Sequence, residues 1–434
     1  MSLDKYAQEN NVLANDILRR DYFLDWKSDN PKKSLDILFS TNNCGKCHKC
    51  YFKGIDDDIQ VNLDNFNQLL DWYIENEFKC DIRLSGNNIW VVSEVGYFDE
   101  VMNTIITKFS KTTSVPKNIF ISVPKESFVS DEYVAKLIDA YNKLFAINIV
   151  LNFEIDANGQ IIDGFDDTYY LRLFNFINLV PSSLLFATIT QSNLGKWLQQ
   201  VVWWTKRDSS VTDRLVINEE FSSTSWTELG FNVYCNVIDL LISYYVGEAV
   251  TEEDKLNCLE KIFVIDAEKA QPFQLHLNKF TTGEDLFSCD MHNALTIRCS
   301  DLSVFICGNL CNEELKIGSF NIVDNKIIDF NCNTVELFIV KEYSKVSSIP
   351  YCEQCPFVGI CDSICLAHSY NTYSSPLVPV MNECEFQKNK LDHLVSLYNK
   401  MGLFDVIDNF GLSKSEVHYI KDLADLVVKS HESK

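Results

Sequence analysis

The sequence predicts an α/β protein: a partial (β/α) barrel, then a small cysteine-rich domain, then a C-terminal helical segment. Three observations predict it. Six short β-like runs alternate with helical stretches of about 10–15 residues through the first half of the chain, the pattern of βαβ units around a parallel sheet. Near residue 280 the texture changes to short alternating runs. Beyond that, Tyr351–Asn371 carries four cysteines at the spacing C-x2-C-x5-C-x3-C.

The elements follow in order. Residues 1–30 read as a helical lead-in. Ser34–Thr41 is the first strand and runs into the cysteine-rich text NNCGKCHKCYF. Val61–Glu77 has helical spacing and Cys80–Gly86 is the second strand. Further strands are Asn118–Pro124, Ile147–Asp156, Ser182–Thr190 and Arg214–Asn218, with a helical stretch before each. Six units are too many for a small open sheet and fit a full or partial barrel, whose chemistry sits at the C-terminal ends of the strands. Trp226–Gly247 reads as a long buried helix. The domains expected are 1–30, 31–280 (barrel), 281–390 (cysteine-rich) and 391–434 (helical).

Composition narrows the function. At 46% hydrophobic residues the chain can bury a sizeable core, and no apolar run approaches the ~20 residues of a membrane span. The polar start MSLDKYAQENN is unlike a signal peptide, so the expectation is a cytoplasmic protein. A net charge of −23 makes nucleic acid a poor partner and suits a basic or neutral polypeptide. Sixteen cysteines in a reducing compartment point to metal ligands rather than disulfides. Thiolates two residues apart can bite one centre, and spacing alone does not choose between two zinc ions and two iron–sulfur clusters. Cys80, Cys235, Cys258 and Cys332 stand apart from the clusters and read as ordinary thiols.

The pattern Cys289-x12-Leu302-x4-Cys307, then Cys352-x2-Cys355-x5-Cys361-x3-Cys365, then Cys384, resembles the SPASM motif. That motif is the C-terminal extension of radical SAM enzymes that mature ribosomally made peptides. The family has glycine where Leu302 stands. The resemblance covers about residues 285–405, with IPYCEQC and CLAHSYNTYSSPLVPVMNEC among the matching text. It implies two auxiliary 4Fe–4S clusters. One would be held by Cys352, Cys355, Cys361 and Cys384. The other would be held by Cys289, Cys307 and Cys365, with Cys299 as fourth ligand and Cys311 the alternative.

Radical SAM enzymes also carry C-x3-C-x2-C just after the first barrel strand. Its three thiolates leave one iron of a 4Fe–4S cluster open for S-adenosylmethionine, the source of a 5′-deoxyadenosyl radical. Cys44, Cys47 and Cys50 occupy that place as C-x2-C-x2-C, one residue short. After the second strand the family has Gly-Gly-Glu to hold the cofactor. Here the text is Ser85-Gly86-Asn87-Asn88, so Asn87 adds a side chain and Asn88 brings no charge. Asn193, in TITQSN, resembles a polar barrel-end position of the family.

The resemblance therefore implies a peptide maturase using S-adenosylmethionine, a precursor peptide, and a reductant protein such as a flavodoxin or ferredoxin. The altered motifs leave open a degenerate barrel that only binds a peptide or a partner. A two-zinc binding protein is the third reading.

Overall fold

The computed structural model describes residues 34–39, 62–86, 97–156, 166–196, 214–219, 226–264, 271–277, 294–305, 307–311, 315–324, 326–332, 349–361, 366–375 and 378–432. The chain divides into two compact units. The first comprises Met1–Phe186, Trp204–Leu215 and Asp290–Lys341; the second comprises Ala187–Trp203, Val216–Cys289 and Glu342–Lys434.

The first unit is built on parallel strands. β1 (Ser34–Leu38), β2 (Asp81–Ser85), β3 (Asn118–Val123), β4 (Val150–Asp156) and β5 (Ser183–Ile189) pair in sequence order, all parallel. Leu185 N–H donates to Arg214 O at 2.8 Å, where β6 (Leu215–Glu219) joins the sheet beside β5. The helices between them are α1 (Leu63–Glu75), α2 (Phe98–Phe109), α3 (Asp131–Phe145) and α4 (Asp167–Leu179). Short polar residues start three of these: Asn62, Ser130 and Asp166 each accept a backbone N–H of the first turn of α1, α3 and α4, replacing bonds that a helix start lacks.

Past residue 280 the chain returns to the same sheet. β9 (Ala294–Arg298) pairs parallel with the free side of β1, in register Ser34↔Ala294 through Leu38↔Arg298. β10 (Ser303–Phe305), β11 (Gly318–Val323) and β12 (Lys326–Cys332) continue as an antiparallel meander. The order is β12-β11-β10-β9-β1-β2-β3-β4-β5-β6, an open sheet with two ends, so among the described residues the barrel is partial and not closed. Main-chain hydrogen bonds tie Ala294–Arg298 to β1 within the first unit.

Strand alternation gives the sheet two unlike faces. Leu35, Ile37, Ile82, Leu84, Ile119, Ile121, Leu151, Phe153, Leu295 and Ile297 are buried on one of them. Helices cover that face: Phe39 meets Phe66 of α1 at 4.9 Å between ring centroids, and Phe153 meets Phe176 of α4 at 5.1 Å. Burial of this kind stabilises by about 1.5–3 kcal/mol per large apolar side chain.

The second unit is mostly helical. It holds α5 (Glu228–Tyr245), α6 (Glu252–Ile262), a two-residue parallel pair of β7 (Phe263–Val264) and β8 (Leu275–His276), α7 (Leu366–Tyr373), α8 (Met381–Lys400) and α9 (Lys414–Glu432). Phe386 of α8 packs on Trp226, Phe231 and Tyr234 with centroids 4.8, 5.4 and 5.0 Å apart. The long helix expected at Trp226–Gly247 is present as α5, but it is not buried all round: Leu229, Leu240 and Tyr244 are exposed. No helix among the described residues is long and apolar enough to cross a membrane.

Candidate functional site

Three segments meet at the C-terminal edge of the first unit's parallel strands. Phe39 N–H, just past β1, donates to Ser85 O at 2.9 Å, and Cys299 N–H, just past β9, donates to Leu38 O at 2.8 Å. In the sequence, β1 is followed by Cys44, Cys47 and Cys50, and β2 is followed by Gly86, Asn87 and Asn88. The three cysteines, His48, both asparagines and the aromatic run VVWWTKR lie outside the described residues. Ser85 is half-buried, and Gly86 has φ +113°, a conformation that side-chain-bearing residues rarely adopt. Glycine is therefore required at this position by the backbone itself.

The second face of the sheet is polar, and sequence reading missed it. Asp36 of β1, Arg83 of β2 and Ser122 of β3 share that face with Glu154 of β4. The Arg83 guanidinium donates to Glu154 at 2.6 Å, stands 4.0 Å from Asp36, and lies 4.8 Å over the Phe120 ring. Ser122 Oγ donates to Glu154 at 3.4 Å. The signal was present in LDILF, DIRLS and NFEID, where charges occupy alternate positions of otherwise apolar strands. The face is mixed, since Leu38 and Phe305 on it are buried.

The second unit brings together Cys352, Cys355, Cys361 and Cys384, all partly exposed. Cys355 N–H donates to Cys352 O at 3.0 Å and Val358 N–H to Cys355 O at 3.1 Å, so the C-x2-C pair sits on successive tight turns. Burial, then the neighbouring Cys361, Cys384 and Cys355, push the Cys352 thiol up to about 12; Lys388 opposes them. Burial likewise raises Cys384, and Cys355 adds to it. Tyr419 of α9 braces the loop: its hydroxyl donates to Pro356 O at 2.7 Å and accepts Gly359 N–H at 3.1 Å. His368 and Glu383, beside Cys384, pair at 2.8 Å. Among the described residues no three His, Cys, Asp or Glu side chains are gathered as a single metal ion would need.

The remaining cysteines separate. Cys289 and Cys365 lie outside the described residues. Cys307 is half-buried, and Leu302 has φ +58°, so the structure asks for a left-handed residue where the family pattern has glycine. Cys299 is fully buried, and its thiol donates to Asn62 O at 3.2 Å. Cys80, Cys235 and Cys258 are buried thiols. Asn193 closes its own turn, accepting Thr190 N–H at 2.8 Å and donating to Thr188 O at 2.9 Å. In the second unit Glu219, the last residue of β6, accepts from Tyr234 at 2.5 Å and pairs with the buried Lys390 at 3.1 Å, a group no sequence motif marked.

Comparison with solved structures decides the fold. Histidine-tagged anSMEcpe with bound AdoMet aligns over 89% of this chain and 98% of its own, with a TM-score of 0.52 and 14% identity. Native anSMEcpe with bound AdoMet and Kp18Cys peptide aligns over 85% and 99%, with a TM-score of 0.53 and 14% identity. The chain has the fold of a radical SAM enzyme. At this identity the likeness is one of fold. No protein-family profile and no curated protein matches the sequence.

Proposed function

We propose that this radical SAM fold modifies a ribosomally made precursor peptide. The observation that carries the proposal is the meeting of β1, β2 and β9 at one strand edge, with Gly86 at φ +113° where the cofactor motif of the family falls. In this reading Cys44, Cys47 and Cys50 hold the 4Fe–4S cluster that binds S-adenosylmethionine. Ser85, Gly86, Asn87 and Asn88 line that cofactor. Cys352, Cys355, Cys361 and Cys384 hold one auxiliary 4Fe–4S cluster, and Cys289, Cys307 and Cys365 contribute to the other. When bound, S-adenosylmethionine on its cluster supplies a radical that abstracts a hydrogen atom.

The chain's own residues supply binding and shape. Gly86, at φ +113° just past β2, leaves no side chain at the strand edge. Asn88 offers a neutral acceptor in place of a carboxylate, so the cofactor ammonium is held without an ion pair. Arg83 is flanked by Asp36 and Glu154, which leaves the polar face with one more negative charge than positive in this group. With a chain charge of −23, that favours a basic or neutral peptide. The peptide bound to anSMEcpe supports a peptide partner. Cleavage of S-adenosylmethionine would consume an electron, so the reading calls for a reductant protein such as a flavodoxin or ferredoxin, and the cluster-binding thiols suit a reducing compartment, the cytoplasm.

The test is anaerobic reconstitution followed by reduction in the presence of S-adenosylmethionine. About twelve irons per chain and release of 5′-deoxyadenosine are expected for three clusters. About eight irons with no 5′-deoxyadenosine would turn the protein into a peptide- or partner-binding one with auxiliary clusters only. Colourless, zinc-loaded protein would leave the two-zinc reading.

A further inference from the structure

We infer that two copies of this chain pair through the outer face of α5, as antiparallel helices about a two-fold axis. The surface lies within the second unit and owes nothing to the cysteine sites. It makes the protein a weak homodimer in solution.

The inner side of α5 is an ordinary buried face, with Tyr234, Val237, Ile238, Leu241 and Ile242. Its outer side is unusual. Leu229, Val233, Leu240 and Tyr244 are 74%, 37%, 50% and 47% exposed, and Asn236 among them is exposed too. At about 100° per residue these five fall within an arc of about 80°, so they form one stripe along the helix. A single exposed leucine needs no explanation, but an aligned apolar stripe marks a contact surface. The outer side of α9 shows the contrast: it exposes Lys414, His418, Asp422, Asp425 and Lys429.

Charge and spacing select a second copy as the occupant. The chain has a net charge of −23, so two copies repel wherever their charged surfaces meet. From Leu229 to Gly247 the sequence holds a single charged residue, Asp239, and His393 of α8 pairs with it at 2.7 Å. The stripe is also its own complement. Let a two-fold axis pass between positions 236 and 237 of antiparallel helices. Leu229 of one copy then lies opposite Tyr244 of the other, and Val233 opposite Leu240, each pair occurring twice. The two Asn236 side chains flank the axis. Each amide carries donors and an acceptor, so the two can bond one another, and an asparagine in such a seam fixes its register. A stripe symmetric about its own centre is what a two-fold contact requires, and a different partner imposes no such symmetry.

The size of the contact sets its strength. From Leu229 to Tyr244 the stripe is about 22 Å long, on a helix about 10 Å across. Such a strip is smaller than the roughly 800 Å² per partner of a standard stable interface. The dimer therefore belongs with weak, concentration-dependent ones, with a Kd on the order of 10 µM.

The experiment uses the full chain, purified anaerobically, in sedimentation velocity over concentrations bracketing that value. It compares wild type with Leu240→Glu, Leu229→Glu, Val233→Lys and Leu171→Glu, and circular dichroism checks the fold. Leu171 of α4 is 60% exposed and controls for general apolar stickiness. Wild type is expected to pass from monomer to dimer as concentration rises. Leu240→Glu is expected to weaken pairing by about tenfold or more, and Leu171→Glu to leave it unchanged. Should Leu240→Glu fail to fold, Leu229→Glu, at the most exposed position of the stripe, takes its place. Val233→Lys alone is expected to stay monomeric. Mixed in equal amounts with Leu240→Glu it is expected to regain the dimer, because the antiparallel register sets position 233 against position 240 of the other copy. A wild type that stays monomeric throughout overturns the inference. So does a dimer that survives Leu240→Glu, or one lost equally in Leu171→Glu. A dimer that Leu240→Glu breaks and the mixture does not restore overturns the antiparallel register.

Discussion

The backbone N–H of Cys299 donates to the carbonyl of Leu38 at 2.8 Å, which joins the end of β9 to the end of β1. That one bond continues a parallel ladder between the start of the chain and the cysteine-rich region. It places the hairpin of β9 and β10 beside the end of β1, the strand that precedes Cys44, Cys47 and Cys50 in the sequence. The hairpin's own geometry is therefore part of the candidate site, and it can be perturbed on purpose.

Leu302 closes that hairpin at φ +58° and is buried. A left-handed leucine costs roughly 1–2 kcal/mol, while truncating a buried leucine costs about 2–5 kcal/mol. Both Leu302→Ala and Leu302→Gly should therefore destabilise. The glycine variant escapes the backbone penalty, so it should be the more stable of the two by about 1 kcal/mol. At an ordinary position the order is reversed. Urea titration of the pair decides it, and an alanine variant more stable than the glycine one would refute the strained turn.

Asp301 in the same turn gives a pH signature. Burial acts to raise its pKa, but hydrogen bonds from Arg298 and Ser303 and the Arg298 charge outweigh it, so the carboxyl is held down from its ordinary 3.8 to about 2. A depressed carboxylate contributes stability above the unfolded pKa and loses it as pH falls through the folded one. The side chain is 43% exposed, so screening reduces the contribution to about 1 kcal/mol. Asp301→Asn should then cost about 1 kcal/mol at pH 7, less between pH 4 and 2, and nothing below pH 2. A cost that does not vary between pH 7 and pH 2 would show that the charge is irrelevant.

Much of this architecture was legible in the sequence, and what was not has physical causes. All six barrel strands lie where alternation and apolar runs put them, because a strand covered on one face must repeat every two residues. The pairing of β9 with β1 was not legible: it joins distant segments, and a strand's neighbour is not written in its own pattern. Arg83 and Glu154 sat in view as charges inside strands. Their pairing follows only once β2, β3 and β4 are in register.

Tyr419 ties the C-terminal helix to the cysteine loop through Pro356 O and Gly359 N–H. Tyr419→Phe removes both bonds and keeps the ring. It should cost about 1–2 kcal/mol and raise hydrogen exchange at Gly359 ahead of the surrounding amides. An effect spread evenly over α9 with no change at Gly359 would assign the tyrosine to packing alone.

The last prediction concerns Gly86. Its φ of +113° lies where only glycine is comfortable, at the exit of β2, one residue past Ser85 whose carbonyl accepts Phe39 N–H at 2.9 Å. An alanine there has to hold a strained backbone, costing about 1–3 kcal/mol, or turn the chain away from the strand edge. The two outcomes are separable. Strain alone lowers the denaturation midpoint and leaves cofactor affinity unchanged. Re-routing lowers affinity for S-adenosylmethionine, because the residues meant to meet it leave with the chain. The proposed function requires the second: Gly86→Ala should weaken binding by about tenfold, roughly 1.4 kcal/mol, in anaerobic equilibrium dialysis. It should do so with the iron content of the wild type, since no thiolate is touched. Unchanged affinity would mean that the turn after β2 serves the fold and that the cofactor is held elsewhere.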